Sequence, residues 1–115
     1  MPMPIEHTVG KIVRKENSSV STTAAKLFGD NAITNDCDAI SICNNHATQT
    51  LYVKWMKVTD AVQTDISSTY DESIAATKSS QFQFKVPRRI TPEESIVLWI
   101  QGSGASTTYS ATKFI

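Results

Sequence analysis

The last third of the chain constrains the fold more than any other stretch. Residues 81–86 read Gln-Phe-Gln-Phe-Lys-Val, an alternation with the two-residue period of a half-buried strand. A proline-containing turn leads to a fully apolar run, Ile96, Val97, Leu98, Trp99 and Ile100. Gly102, Ser103 and Gly104 then give a hairpin signal, and a final polar and aromatic strand is expected over residues 107–114. A sheet closing on itself absorbs these hydrophobic residues and leaves none for a catalytic lobe. Such a chain is expected to work through its surface.

Upstream, Pro2 and Pro4 exclude helix from residues 1–6 and favour an extended N-terminal arm, with residues 7–115 forming one sandwich domain. A short strand is expected over 7–13, with Gly10 as its bulge, followed by a polar stretch over 17–23. Residues 23–28 suit a helical turn or an edge strand, which Gly29, Asp30 and Asn31 end. Ile40 and Ile42 share one face of a strand over 39–43. After a polar turn, Leu51, Val53 and Trp55 share one face of the next, with Tyr52, Lys54 and Met56 on the other. These two strands are expected to pair as a hairpin. Residues 57–80 read as a long surface excursion carrying one short strand or helical turn, and as the place for a binding function. The expected core is Ile40, Ile42, Leu51, Val53, Trp55, Phe82, Phe84, Val86, Ile96, Leu98 and Ile100. Trp99 is out of phase with its neighbours and either caps the sandwich or lies on an outer face that a partner covers. The fold expected is all-β: a small antiparallel β-sandwich, immunoglobulin-like or jelly-roll, of about seven to eight strands.

Composition narrows the function. At 115 residues the chain has room for a single core. Lys plus Arg and Asp plus Glu are 11 each, so the formal net charge is zero and the basic excess of a nucleic-acid binder is absent. Zero net charge also removes one defence against self-association. The longest apolar run, residues 96–100, is too short to span a bilayer, so no membrane partner is expected. Residues 1–6 carry neither the basic nor the apolar region of a secretory signal. Cys37 and Cys43 are expected as free thiols, in keeping with a reducing compartment.

The residues able to carry chemistry suit ordinary structure. His7 and His46 lack any zinc-ligand spacing with Cys37 and Cys43. Asp30, Asp36 and Asp38 lack the spacing of a calcium loop and suit turn geometry instead. Glu93 and Glu94, like Asp71 and Glu72, sit in solvated loop sequence and make no catalytic pair. No cofactor, metal or catalytic residue is expected, and the chain is read as not an enzyme. Arg88 and Arg89 follow Pro87 on a stiffened turn and suit either a solvated turn or the charged rim of an interface.

The order of strands and turns resembles small β-sandwich structural proteins of tailed bacteriophages, of capsid decoration, head-fibre or neck type. The residues that carry it are Ala39-Ile-Ser-Ile-Cys-Asn-Asn-His-Ala-Thr-Gln-Thr-Leu-Tyr-Val and Ile96-Val-Leu-Trp-Ile-Gln-Gly-Ser-Gly. It covers roughly residues 24–115 and departs in the long central excursion and in Lys78-Ser79-Ser80 before the next strand. The resemblance implies a non-enzymatic virion protein, assembled in the host cytoplasm, that binds the major capsid protein or a neck or tail protein. A homo-oligomer, trimeric by preference, goes with it. Loops, an outer sheet face and the arm would make the contacts. The interface candidates are Pro2, Pro4, Ile5, Arg88, Arg89, Trp99, Tyr109 and Phe114. Core packing is the plainer reading of the aromatic ones. A receptor- or glycan-binding module of a fibre or spike is the alternative, with Tyr70 and Asp71 in the excursion as its contacts.

Overall fold

The structure is a computed structural model and describes residues 12–28, 39–83, 93 and 96–114. The sequence-based expectations for Pro2, Pro4, Ile5, His7, Gly10, Cys37, Phe84, Val86, Arg88 and Arg89 lie outside the described residues. Eight strands form two antiparallel sheets of four: β1 (Ile12–Val20), β2 (Ala25–Lys26), β3 (Ala39–Asn44), β4 (Leu51–Lys57), β5 (Glu72–Ile74), β6 (Ser79–Gln83), β7 (Ile96–Gly102) and β8 (Thr107–Phe114). The first sheet runs β1-β8-β3-β6 and the second β2-β7-β4-β5.

That order has a simple generator. β1 pairs with β8, β2 with β7, β3 with β6 and β4 with β5, so the chain is a nested antiparallel ribbon. Wrapping the ribbon brings β3 beside β8 and β4 beside β7 and closes both sheets. This is the jelly-roll arrangement, and it decides between the two sandwich types expected. Of consecutive described strands, only β4 and β5 share a sheet.

Three expectations are corrected here. β3 and β4 do not form a hairpin, because they lie in different sheets and the turn between them is a corner of the sandwich. The Gly102-to-Gly104 signal is likewise a corner, joining β7 in the second sheet to β8 in the first. Alternation says which residues point inward, and it reads identically whether a strand's successor lies beside it or across the core. The third correction concerns β1, which runs past the expected end at Val13 to Val20, into the polar stretch. It is an edge strand, so most of its side chains face water, and Val20 alone of them is fully drawn into the core. Its bulge is at residues 16 and 17, where the register shifts and Asn17 takes a left-handed φ of 49°, a conformation asparagine tolerates.

The main core lies between the sheets. Ile40, Ile42, Phe82, Tyr109 and Ala111 of the first sheet meet Leu51, Val53, Ile74, Leu98 and Ile100 of the second, with Val20 and Leu27 closing the ends. Trp55 packs against this cluster edge-on to Phe82, 5.1 Å between ring centres. A second cluster lies outside the second sheet and comprises Ala24, Met56, Ile66, Val97 and Trp99, flanked by Tyr52. Ile66, from the excursion, is wholly buried there. β7 is therefore covered on both faces, which accounts for its uninterrupted apolar sequence.

The two corners hold each other. Asn44, buried at the end of β3, donates through Nδ2 to Gln49 O (2.8 Å) and Ile74 O (3.0 Å), and its Oδ1 accepts from His46 N. His46 Nδ1 in turn accepts from the N–H groups of Thr48 and Gln49. Thr107 Oγ1 donates to Gln49 Oε1 at 2.6 Å, and the Ser103 hydroxyl accepts from Thr50 N. Gly102 and Gly104 permit this approach: a Cβ on the first would overlap the Thr107 side chain, and on the second that of Gln49. His46 thus serves the corner between the sheets.

Candidate functional site

The two outer faces of the sandwich differ, and the difference locates the candidate site. Over the second sheet the chain lays its own excursion. Ala24 N donates to Thr64 O, Ile66 N to Gln101 Oε1, Lys54 Nζ to Thr69 O, and Trp55 N to Asp71 Oδ2. Asp71 also donates its own N–H to Val53 O, continuing the edge of β4. These bonds bind the excursion down along its length.

Among the described residues, nothing comparable covers the first sheet. Register and burial together assign its outward side chains to cross-strand rows. At one end Ile12, Phe114 and Ala39 stand side by side on β1, β8 and β3. The next outward row is Arg14, Thr112, Ser41 and Gln81. After it come Ser110, Cys43 and Ser79, then Ser19 and Thr108. Asn17 N and Asn45 Nδ2 both donate to Ser110 Oγ, tying the bulge of β1 and the corner after β3 to the centre of this face. The inward rows, such as Lys15, Ala111, Ile42 and Ser80, belong to the opposite side.

The open face is made of short hydroxyl, amide and thiol side chains, with Arg14 as the one charged residue in the four rows. Ile12 (43% exposed) and Phe114 (38%) give it an apolar end. A groove lined by Ala39, Ser41, Gln81 and Phe114 opens there. Cys43 is a free, half-buried thiol near its centre. Scarcity of charge is one mark of a protein-contact core, whereas the serines and alanine here are residue types that such cores carry less often. Among the described residues no group of three histidine, cysteine or acidic side chains could hold a metal, and no helix is long and apolar enough to cross a membrane.

The sequence-derived candidates distribute unevenly about this face. Phe114 is on it. Trp99 is 8% exposed within the second cluster, where the Lys26 ammonium lies 5.8 Å from its ring centre, so the chain's own excursion supplies the cover. Tyr109 is buried in the main core, and burial raises its phenol pKa above the usual 10.0 against a lowering hydrogen bond from Ser18. Tyr70 is exposed and packs on Tyr52, 5.0 Å between ring centres, while Asp71 is committed to the β4 edge. Sequence reasoning missed Ser41, Ser79, Ser110 and Thr112 as a surface. The signal available was their strict alternation with core residues on three strands, which identifies an outward face without saying whether anything covers it.

No known protein family matches the chain, and no curated protein matches it. Among solved structures, one of the Bacillus endospore appendages, disulfide-linked pili, is similar over 99% of this chain and 96% of that one. The identity is 17% and the TM-score 0.43. Neither the fold described above nor the role proposed below rests on that likeness. The resemblance to tailed-phage proteins finds no counterpart in these comparisons.

Proposed function

We propose that the protein is a non-enzymatic structural subunit that associates with further copies of itself through the open face of the first sheet. The observation that carries this reading is the asymmetry of the two outer faces among the described residues: residues 58–71 of the chain's own excursion lie over one, and no described segment lies over the other, which is nearly uncharged. Strands about 4.8 Å apart and a residue rise of about 3.3 Å give that second face a footprint of about 400 Å². A standard interface takes about 800 Å² from each partner, so one such contact is weak. Repetition over many copies turns weak contacts into stable attachment through effective concentration. A phage virion, with a shell or tail protein as a further partner, is the setting that the strand order suggests for such a subunit.

The test is molar mass by light scattering after size exclusion, from micromolar to millimolar protein. Oligomers are expected to grow in with concentration and to disappear in Thr112→Arg, which plants a second charge mid-face beside Arg14. A wild-type chain monomeric throughout the range, or a Thr112→Arg variant that assembles equally well, would overturn the reading.

A further inference from the structure

The covered side of the molecule carries a second feature. Tyr52 and Gln101 stand directly opposite each other on β4 and β7 and face outward from the second sheet. Above them passes the excursion, which Ile66 anchors, and at the sheet's end lie the turns bearing Thr22 and Ser103. Together with Asp65 and Ser67 these residues line a notch of about 440 Å³, within the range of about 300–1,000 Å³ typical of small-molecule sites.

We propose that this notch binds a neutral sugar ring. Its lining is three hydroxyls, an amide, a carboxylate and a tyrosine ring, which is a set of partners for a polyhydroxylated ligand with an apolar C–H face. The carboxylate is held in place. Asp65 Oδ1 accepts from Ser67 N (3.0 Å), Ser67 Oγ (2.6 Å) and Gln101 Nε2 (3.2 Å), while Oδ2 takes no bond from the described residues. A fixed carboxylate with a free oxygen can accept from sugar hydroxyls without first ordering itself, which lowers the entropic cost of binding. Tyr52 forms part of the wall, and its ring packs with that of Tyr70, 5.0 Å between ring centres.

The alternatives fit less well. A calcium ion takes six to eight oxygen ligands, and a single carboxylate among hydroxyls falls short of that. An anionic ligand would meet Asp65 with no lysine or arginine in the lining to offset it. A wholly apolar ligand would strip water from hydroxyls that it could not replace. The notch lies on the sheet opposite the proposed contact face, so the two readings fail or stand separately.

The experiment is an NMR titration of the whole ¹⁵N-labelled chain with glucose, galactose, mannose and N-acetylglucosamine to about 50 mM, and with sodium glucuronate as the charged control. An open site of this kind implies a Kd of about 1–20 mM. Saturable shifts at the Thr22, Ser67 and Ser103 amides are expected for at least one neutral sugar and absent with glucuronate. Asp65→Asn should weaken binding about tenfold. Thr22→Arg, which fills the notch from an exposed position that makes no described side-chain bond, should abolish it. Thr112→Arg should leave it unchanged. Linear shifts with every neutral sugar, saturable shifts confined to other residues, or binding that survives Thr22→Arg would each overturn the proposal.

Discussion

A few polar side chains inside this sandwich decide how it is put together, and Asn44 is the clearest of them. A buried amide left without partners is costly, about 1–3 kcal/mol for each unsatisfied group. Asn44 has partners on its own corner, Gln49 and His46, and on β5, Ile74, which lies in the other sheet. It therefore fixes a corner that apolar packing alone would leave free to slide. Tyr109 sits in the same inward row, directly opposite Asn44, with its phenol shielded from water. Because burial raises its pKa, the folded state holds the proton more tightly than the unfolded state does. The stabilisation is full below about pH 10 and falls as pH rises above that value toward the raised one. Urea titrations from pH 8 to 11.5 should show a midpoint that declines steeply above pH 10, and Tyr109→Phe should flatten that decline. An equal decline in both proteins would remove Tyr109 as its source. Asp65 works at the other extreme. Its bonds from Ser67 and Gln101 lower its pKa below 3.8, so its contribution is present above that value and lost as pH falls through the lowered one.

Among the elements, the excursion after β4 departs furthest from its sequence. Scattered Val58, Val62, Ile66, Tyr70 and Ile74 among Asp, Ser and Thr read as a long surface excursion carrying one short strand or helical turn. The strand is there as β5, and Val58, Val62 and Tyr70 are indeed exposed. Ile66 is the exception, fully buried against Val97 and Trp99. No periodic pattern surrounds it, because a loop that crosses a sheet needs one anchor rather than a face. By contrast β3 and β4 are legible from alternation, β7 from its apolar run and β8 down to its bounds, since each has a face fixed by the main core. What alternation could not convey was partnership: which strand lies beside which, and which outer face the described residues leave uncovered. Ile66→Ala tests the anchor. Removing a buried isoleucine to alanine costs about 2–5 kcal/mol, and here part of that is taken as local release of residues 58–71. Trp99 should lose its cover, shifting tryptophan emission to longer wavelength, while amides of β3 and β8 keep their protection from exchange. Emission and exchange unchanged from wild type would mean that the hydrogen bonds of Lys54, Gln101 and Asp71 hold the excursion without Ile66.

At the scale of the whole molecule, the nested ribbon sets an order of assembly. β4 and β5 are the paired strands closest in sequence, and β1 and β8 pair residues from opposite ends of the chain, Ile12 with Phe114. Closing a loop of n residues costs entropy that grows as about (3/2)RT ln n, so the inner pair is the cheapest to join and the outermost the dearest. Once β4 and β5 are held, β3 with β6 and then β2 with β7 close much smaller effective loops than they would alone. Contacts dominated by such non-local pairs place folding on the timescale of about milliseconds to seconds. The ribbon also predicts where in the chain the rate is controlled. Ile74, on β5, packs in the main core opposite Leu51, whereas Val20, at the end of β1, packs there only when the last pair forms. Stopped-flow chevrons of Ile74→Ala should show slowed refolding with little change in unfolding, and Val20→Ala the converse, faster unfolding at a nearly unchanged refolding rate. The reverse pattern would mean that the chain ends meet first. In that case β8, central in the first sheet between β1 and β3, would serve as the template on which the remaining strands assemble.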